Sequence, residues 1–204
     1  NEAYIEGYPE KDLANVARKQ TGISTSEAAI IDIGAYEYSK RALEPTADDL
    51  EAALEGNQAE IVLSGDIDLG DKELIVSSDA VIKAPEGATE PVVITVAEGK
   101  TAFTTAANVE LTLENIQIVA VENATTTPTA IKVVESSTVN LEGAHVEGAT
   151  VEVSGELNLT NSGFKADAET AALDIKDGGT VVIENAEFVG KAITATSGAT
   201  FTLS

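Results

Sequence analysis

Cysteine, methionine and tryptophan are all missing from these 204 residues, and histidine occurs once, at His145. Without cysteine there is no disulfide, no thiolate metal ligand and no thiol nucleophile. A single imidazole excludes any site built on two histidines and disfavours a zinc centre. Aromatics are scarce too, four Tyr and four Phe, so a core must be assembled from Val, Ile, Leu and Ala. No stretch reaches the roughly eighteen apolar residues that a spanning helix needs. Bases number twelve against thirty-five acids, a formal net charge of −23. That balance argues against nucleic acid, whose phosphates are bound by clustered Lys and Arg, and against anionic membrane surfaces.

What is present is aliphatic and periodic. A hydrophobic content of 43% is too high for a disordered acidic tail, so the chain folds. Four segments share one template: Leu111–Ile118, Val139–Val146, Leu157–Phe164 and Val181–Phe188, with a fifth begun at Phe201-Thr-Leu203. Their first positions are separated by 28, 18, 24 and 20 residues. The template reads apolar, any, apolar, polar, Asn or Gly, any, any, apolar. Alternation at its start is the signature of a strand with one buried face. Asn or Gly follows where the chain must bend, because these residues tolerate left-handed backbone angles. A second alternating pair precedes each copy: Phe103, Ile131 and Val133, Val151 and Val153, Leu173 and Ile175, Ile193 and Ala195.

Two or three short strands per repeat of about twenty residues, with no helical period between them, predict a β-solenoid. One coil cannot bury its own inner face, but coils stacked about 4.8 Å apart can, each strand pairing in parallel with its neighbours. Leu113, Leu141, Leu159, Ile183 and Leu203 then form one inward column. Leu111, Val139, Leu157, Val181 and Phe201 form a second, and Ile118, Val146, Phe164 and Phe188 a third. Each such side chain, fully buried, contributes roughly 1.5–3 kcal/mol. Asn115, Asn161 and Asn185 are expected to stack at a bend and exchange side-chain hydrogen bonds. The competing arrangement is an antiparallel sandwich, disfavoured by the coil-to-coil recurrence of the whole template and by the scarcity of Asn-Gly and Asp-Gly turns, of which Asp177-Gly178 is the only example.

Shorter apolar runs at 61–63, 67–69, 74–76, 81–82 and 92–96 read as earlier coils. Before them, Thr46 to Glu55 carries an N-cap residue, acids in its first turn and Leu50, Ala53 and Leu54 on one face. That predicts a short helix closing the open end of the core. With the coils that follow, these residues resemble right-handed parallel β-helix proteins of the pectate-lyase-like superfamily, in the flavour of secreted, surface-associated proteins of gut Bacteroidetes. The resemblance implies an all-β, right-handed single-stranded parallel β-helix with a short N-terminal capping helix. Asp12 to Arg18 and then Ile31-Asp-Ile-Gly-Ala-Tyr-Glu-Tyr38 are similar to the closing segment of secreted bacterial β-helix domains, with Ala14 and Ala17 where Gly and Pro are usual. The expected organisation is therefore 1–43 as the end of an upstream β-helix or a packing tail, 44–56 as linker and capping helix, and 57–204 as a β-helix truncated at its C-terminal end. A chain without Met that begins at Asn1 and stops at Ser204 in mid-strand reads as a piece of something longer.

Candidate sites are few. β-Helix lyases like those the chain resembles need an Arg or Lys base near calcium on an outer face. Past residue 45 there is no Arg, and the seven Lys are scattered. Outward acids suited to glycoside hydrolysis abound, among them Glu110, Glu114, Glu142, Glu152, Glu156, Asp174, Glu184 and Glu187. A solvated face of an acidic solenoid carries the same residues. Asp66, Asp68 and Asp71 form the one calcium candidate, three hard-oxygen ligands around a Gly turn, without the spacing of an EF-hand loop. No other cofactor is expected. His145 falls at an outward position and reads as ordinary surface, and Tyr4, Tyr8, Tyr36 and Tyr38 as packing of the closing segment, with sugar stacking as the alternative. The functional expectation is a non-catalytic, surface-exposed or secreted module on the extracellular side of a bacterial outer membrane, adhesin-like or carbohydrate-binding. Its partner would be a glycan or cell-surface polysaccharide, with no nucleic acid and no membrane insertion. The alternatives are a polysaccharide lyase or glycoside hydrolase, and a structural stalk or surface-layer element.

Overall fold

The computed structural model describes residues 46–166 and 170–203. The N-terminal segment, with its four tyrosines and its Asp-Ile-Gly-Ala-Tyr-Glu string, lies outside the described residues. The described residues form one helix and seventeen strands. Helix α1 (Ala47–Glu55) is capped by Thr46, whose Oγ1 accepts from the Asp49 N–H at 3.2 Å. The first coil holds β1 (Glu60–Val62), β2 (Ile67–Asp68) and β3 (Leu74–Val76), and the second β4 (Ala80–Lys83), β5 (Val92–Val96) and β6 (Thr101–Thr105). The third holds β7 (Glu110–Glu114), β8 (Ile116–Ala120) and β9 (Thr129–Val133), and the fourth β10 (Thr138–Glu142), β11 (His145–Glu147) and β12 (Thr150–Val153). In the fifth, β13 (Glu156–Lys165) runs through two positions before β14 (Leu173–Ile175), and in the sixth β15 (Thr180–Val189) does the same before β16 (Ile193–Ala195). Strand β17 (Thr200–Leu203) opens a seventh.

Every strand pairing is parallel and joins equivalent positions of successive coils. The antiparallel sandwich is thereby excluded: the fold is a parallel β-solenoid of about six turns. Strands β1, β4, β7, β10, the first half of β13 and β15, and β17 make face A; β2, β5, β8, β11 and the second halves make face B. Faces A and B belong to one eleven-stranded sheet, and β3, β6, β9, β12, β14 and β16 form the six-stranded face C.

The three inward columns stack in the expected order. Leu113 pairs with Leu141, Leu141 with Leu159, Leu159 with Ile183 and Ile183 with Leu203, and Ile61 and Ile82 extend the column back to the first coil. Ile67 and Ile94 likewise extend the column of Ile118, Val146, Phe164 and Phe188. The Phe164 and Phe188 rings stack with centroids 4.9 Å apart and planes 11° from parallel. Burial differs from expectation at the last coil. Phe201 and Leu203 keep their column positions but are 44% and 73% exposed, because no described strand lies over β17. At the opposite end α1 places Leu50, Ala53 and Leu54 over the first coil, all buried.

The corner between faces A and B explains the template's fifth position. Asn115, Gly143, Asn161 and Asn185 all have positive φ, between 50° and 62°. In β13 the buried residues are Leu157 and Leu159 before the corner and Ser162 and Phe164 after it. One left-handed residue therefore shifts the inward phase by one position, and the template's sixth place turns inward as well: Ile116, Ala144 and Ser162 are buried. The asparagine stack is shorter than its spacing suggested. Asn185 Nδ2 donates to Asn161 Oδ1 at 2.7 Å, whereas Gly143 separates Asn115 from Asn161 and the Asn115 amide turns to the Glu90 carbonyl at 3.5 Å.

A second corner, between faces C and A, places Asn108, Ser136, Gly178 and Gly198 at positive φ. Ser136, exposed and at φ 63°, is the only one of these with neither the freedom of Gly nor the tolerance of Asn. Ser136→Gly is expected to raise unfolding free energy by about 0.5–1 kcal/mol. Urea denaturation checks this, and an unchanged or lowered midpoint would contradict the strain assigned to Ser136.

Candidate functional site

A shallow depression of about 100 Å³ between α1 and β3 is lined by Glu51, Leu54, Glu55, Glu73, Leu74 and Ile75. Two of its acids are already engaged: Glu51 pairs with Lys72, and Glu73 Oε1 accepts from the Thr101 N–H at 3.0 Å. Lys72 also reaches Asp48 at 2.9 Å, and the hydrogen bonds it donates to Glu51 and then Asp48 raise its pKa to about 12. It stays charged across the physiological range and ties the cap helix to the first coil. Its role is anchoring.

The three aspartates of the calcium candidate occupy exposed positions around β2, with Ile67 and Leu69 buried between and beside them as alternation requires. Asp66 Oδ1 accepts from the Val93 N–H at 2.8 Å, and Asp68 Oδ1 from the Gly70 N–H at 2.9 Å. Both carboxylates thus serve the backbone, one bridging to the next coil and the other closing a turn. Among the described residues no three His, Asp or Glu side chains converge as a metal-holding group.

Outward residues form columns of their own, since a parallel in-register stack repeats every position. On face C, Lys132, Glu152 and Asp174 follow one another on neighbouring strands. Lys132 pairs with Glu152 at 3.7 Å and Lys176 pairs with Asp174 at 2.5 Å. The Asp174 hydrogen bond raises the Lys176 pKa. A proton-abstracting lysine needs the opposite shift, so this cluster is built to stay paired. On face B, Glu147 pairs with Lys165, and His145 lies over Gly163 so closely that a Cβ there would sit 2.4 Å from Nδ1. Gly163 leaves the notch that the imidazole fills.

Face A differs from both. Its central column runs Thr112, Asn140, Asn158, Val182 and Thr202. Asn140 Nδ2 donates to Glu110 Oε1 at 2.7 Å and Thr112 Oγ1 at 3.2 Å; Asn158 Nδ2 donates to Asn140 Oδ1 at 3.0 Å and Glu156 Oε1 at 3.1 Å. This amide ladder is flanked by a column of Glu110, Thr138, Glu156, Thr180 and Thr200 and another of Glu114, Glu142, Thr160 and Glu184. The acids of this wall were legible as outward residues. Their assembly around a shared asparagine ladder was missed, although Asn140 and Asn158 occupy the same second place in the template.

The class that the fold defines is the parallel β-solenoid. No family model, curated protein or solved structure matches the chain. No described helix is long and apolar enough to cross a membrane.

Proposed function

We propose that the solenoid is a non-catalytic binding module, adhesin-like and displayed on a cell surface or secreted, and that face A receives a linear glycan along the coil axis. The resemblance to pectate-lyase-like β-helices of Bacteroidetes type enters here as part of that reading. The observation that carries it is the face A wall, where outward Asn, Thr and Glu positions stack in register from coil to coil at the strand spacing of about 4.8 Å. An extended polymer of repeating hydroxyl-bearing units meets such a wall at successive equivalent points, so weak contacts add along its length. The wall is an outward sheet face, as suits a chain passing over it.

The test is a glycan array followed by titration of any hit with the intact chain and with Asn158→Arg, which places a bulky side chain on the wall. Binding without release of sugar products, weakened at least about tenfold by the substitution with circular dichroism unchanged, is the expected result. Release of unsaturated or reducing-end products would replace this reading with a lyase or hydrolase. Absence of binding across the array would leave the structural stalk.

A further inference from the structure

We propose that segment 121–128 is a strap across the corner between faces B and C, held shut by the Glu98 carboxylate and released in acid. The device is independent of what face A binds. Corners between these faces are short in the neighbouring coils, 97–100 in the second and 148–149 in the fourth, whereas the third coil spends 121–128 between β8 and β9. Both ends of that segment are fixed by backbone: the Val121 N–H donates to the Val96 carbonyl at 2.9 Å, and the Pro128 carbonyl accepts from the Thr150 N–H at 3.0 Å. Between them the chain turns through Asn123 at φ 61° and is tied in two directions. Toward the second coil, Glu98 accepts from the Thr125 hydroxyl and, through Oε1 at 2.9 Å, from the Thr126 N–H. The Gly99 N–H donates to the Thr126 carbonyl at 3.1 Å. Toward the fifth coil, Thr127 Oγ1 lies 2.9 Å from Thr170 Oγ1. The strap therefore reaches from the second coil to the fifth, over the short corner of the fourth.

The clasp on the second coil is the part that acid loosens. Glu98 is exposed, and its charge is held by a hydroxyl and an amide of the strap. The titratable groups on the flanking segments are Lys100 in its own corner, Glu122 in the strap, and Asp71, Lys72 and Glu73 in the corner of the first coil. Lys72 is committed to Glu51 and Asp48, and Glu73 to the Thr101 N–H. The Thr125 hydroxyl first, against the opposing pull of desolvation, and then the Thr126 N–H hold the Glu98 pKa below the ordinary glutamate value. A lowered value means that the clasp stabilises the strap fully above the ordinary glutamate range and stops doing so as pH falls through the Glu98 value. Charge-assisted hydrogen bonds are roughly twice as strong as neutral ones. Protonation therefore weakens both ties at once and leaves the strap on the Gly99 bond and the Thr127–Thr170 hydroxyl pair. Opening unlinks the second coil from the fifth at this edge and bares corner 148–149.

Backbone nitrogen-15 relaxation of the intact chain at pH 7 and about pH 3 tests this, with β10 and β12 as internal reference. Order parameters of residues 122–127 are expected near the rigid value of about 0.85 at pH 7 and to fall toward about 0.6 in acid, while the two strands keep theirs. Glu98→Gln, which retains an acceptor without the charge, is expected to give the same strap order at both pH values. Glu98→Ala is expected to leave the strap mobile at both, and Glu122→Gln to respond as the unsubstituted chain does. A strap equally ordered at the two pH values would overturn the proposal, as would an ordered strap in Glu98→Ala. An acid response that survives Glu98→Gln or disappears in Glu122→Gln would overturn it by placing the titrating group elsewhere. Loss of order in β10 and β12 at the same pH as in the strap would overturn it too, since acid would then be unfolding the coils rather than opening one edge.

Discussion

Leu141→Ala is expected to lower unfolding free energy by about 2–5 kcal/mol, and Leu203→Ala, two members of one column compared, by less than about 0.5 kcal/mol. Leu141 is 1% exposed and held between Leu113 and Leu159, whereas Leu203 is 73% exposed at the uncovered end of the same column. The chemical change is identical, so the difference isolates stacking. Truncation in the middle of the stack opens a void that neighbours fixed by two ladders of backbone hydrogen bonds fill poorly. Guanidinium denaturation of the two variants measures it. Equal losses would mean that the column is not the source of stability.

Gly155→Ala should cost still more for its single added carbon. The turn from β12 into β13 is the shortest way between coils, with Leu141 and Leu159 only 18 residues apart. A Cβ on Gly155 would stand 2.3 Å from the Val134 carbonyl oxygen and 2.4 Å from that of Ser137. Those oxygens belong to backbone that is itself pinned: Glu156 N–H donates to Ser137 O at 2.9 Å and Ser137 N–H to Val134 O at 3.2 Å, and Gly155 is held in turn by the Thr180 N–H, which donates to its carbonyl at 2.8 Å. Relief requires prising two coils apart, and a loss of about 3 kcal/mol or more is expected. Gly178→Ala is the control. Its φ is 79° but its Cβ would meet nothing within 4 Å, so only left-handed strain of about 1–2 kcal/mol applies. Thermal melts that ranked Gly178→Ala as the worse variant would contradict the crowding at Gly155.

Much of this architecture is written in the aliphatic alternation. The columns headed by Leu111, Leu113 and Ile118 are readable because each residue recurs beside the same bend, and the strand register matches that reading residue for residue. Legibility fails where a coil breaks its own pattern. Ile82 and Leu113 are partners 31 residues apart, and the loop containing Pro85 and Pro91 hides the repeat between them. Thr105 occupies a place filled by Val76 and Val133 in the neighbouring coils, and only the structure shows why a hydroxyl is tolerated there: its Oγ1 lies 2.7 Å from that of Ser137, both buried. The candidate site was less legible than the core. Outward positions carry no burial signal, so Asn140 and Asn158 looked like any polar residue until register set one above the other.

Disulfide formation between introduced cysteines tests the stacking most directly, and the absence of native cysteine keeps the readout clean. Thr138 faces Glu156 and Glu142 faces Thr160 in the parallel register of β10 on β13, within the roughly 4.4–6.8 Å Cα separation a disulfide spans. The crossed pairs, Thr138 with Thr160 and Glu142 with Glu156, are offset by four residues, about 13 Å along the strand. Thr138→Cys with Glu156→Cys, and Glu142→Cys with Thr160→Cys, are expected to close intramolecular bonds under mild oxidation, and the crossed pairs to stay open. Closure of the crossed pairs instead would mean that these strands run in opposite directions, and the solenoid would be wrong.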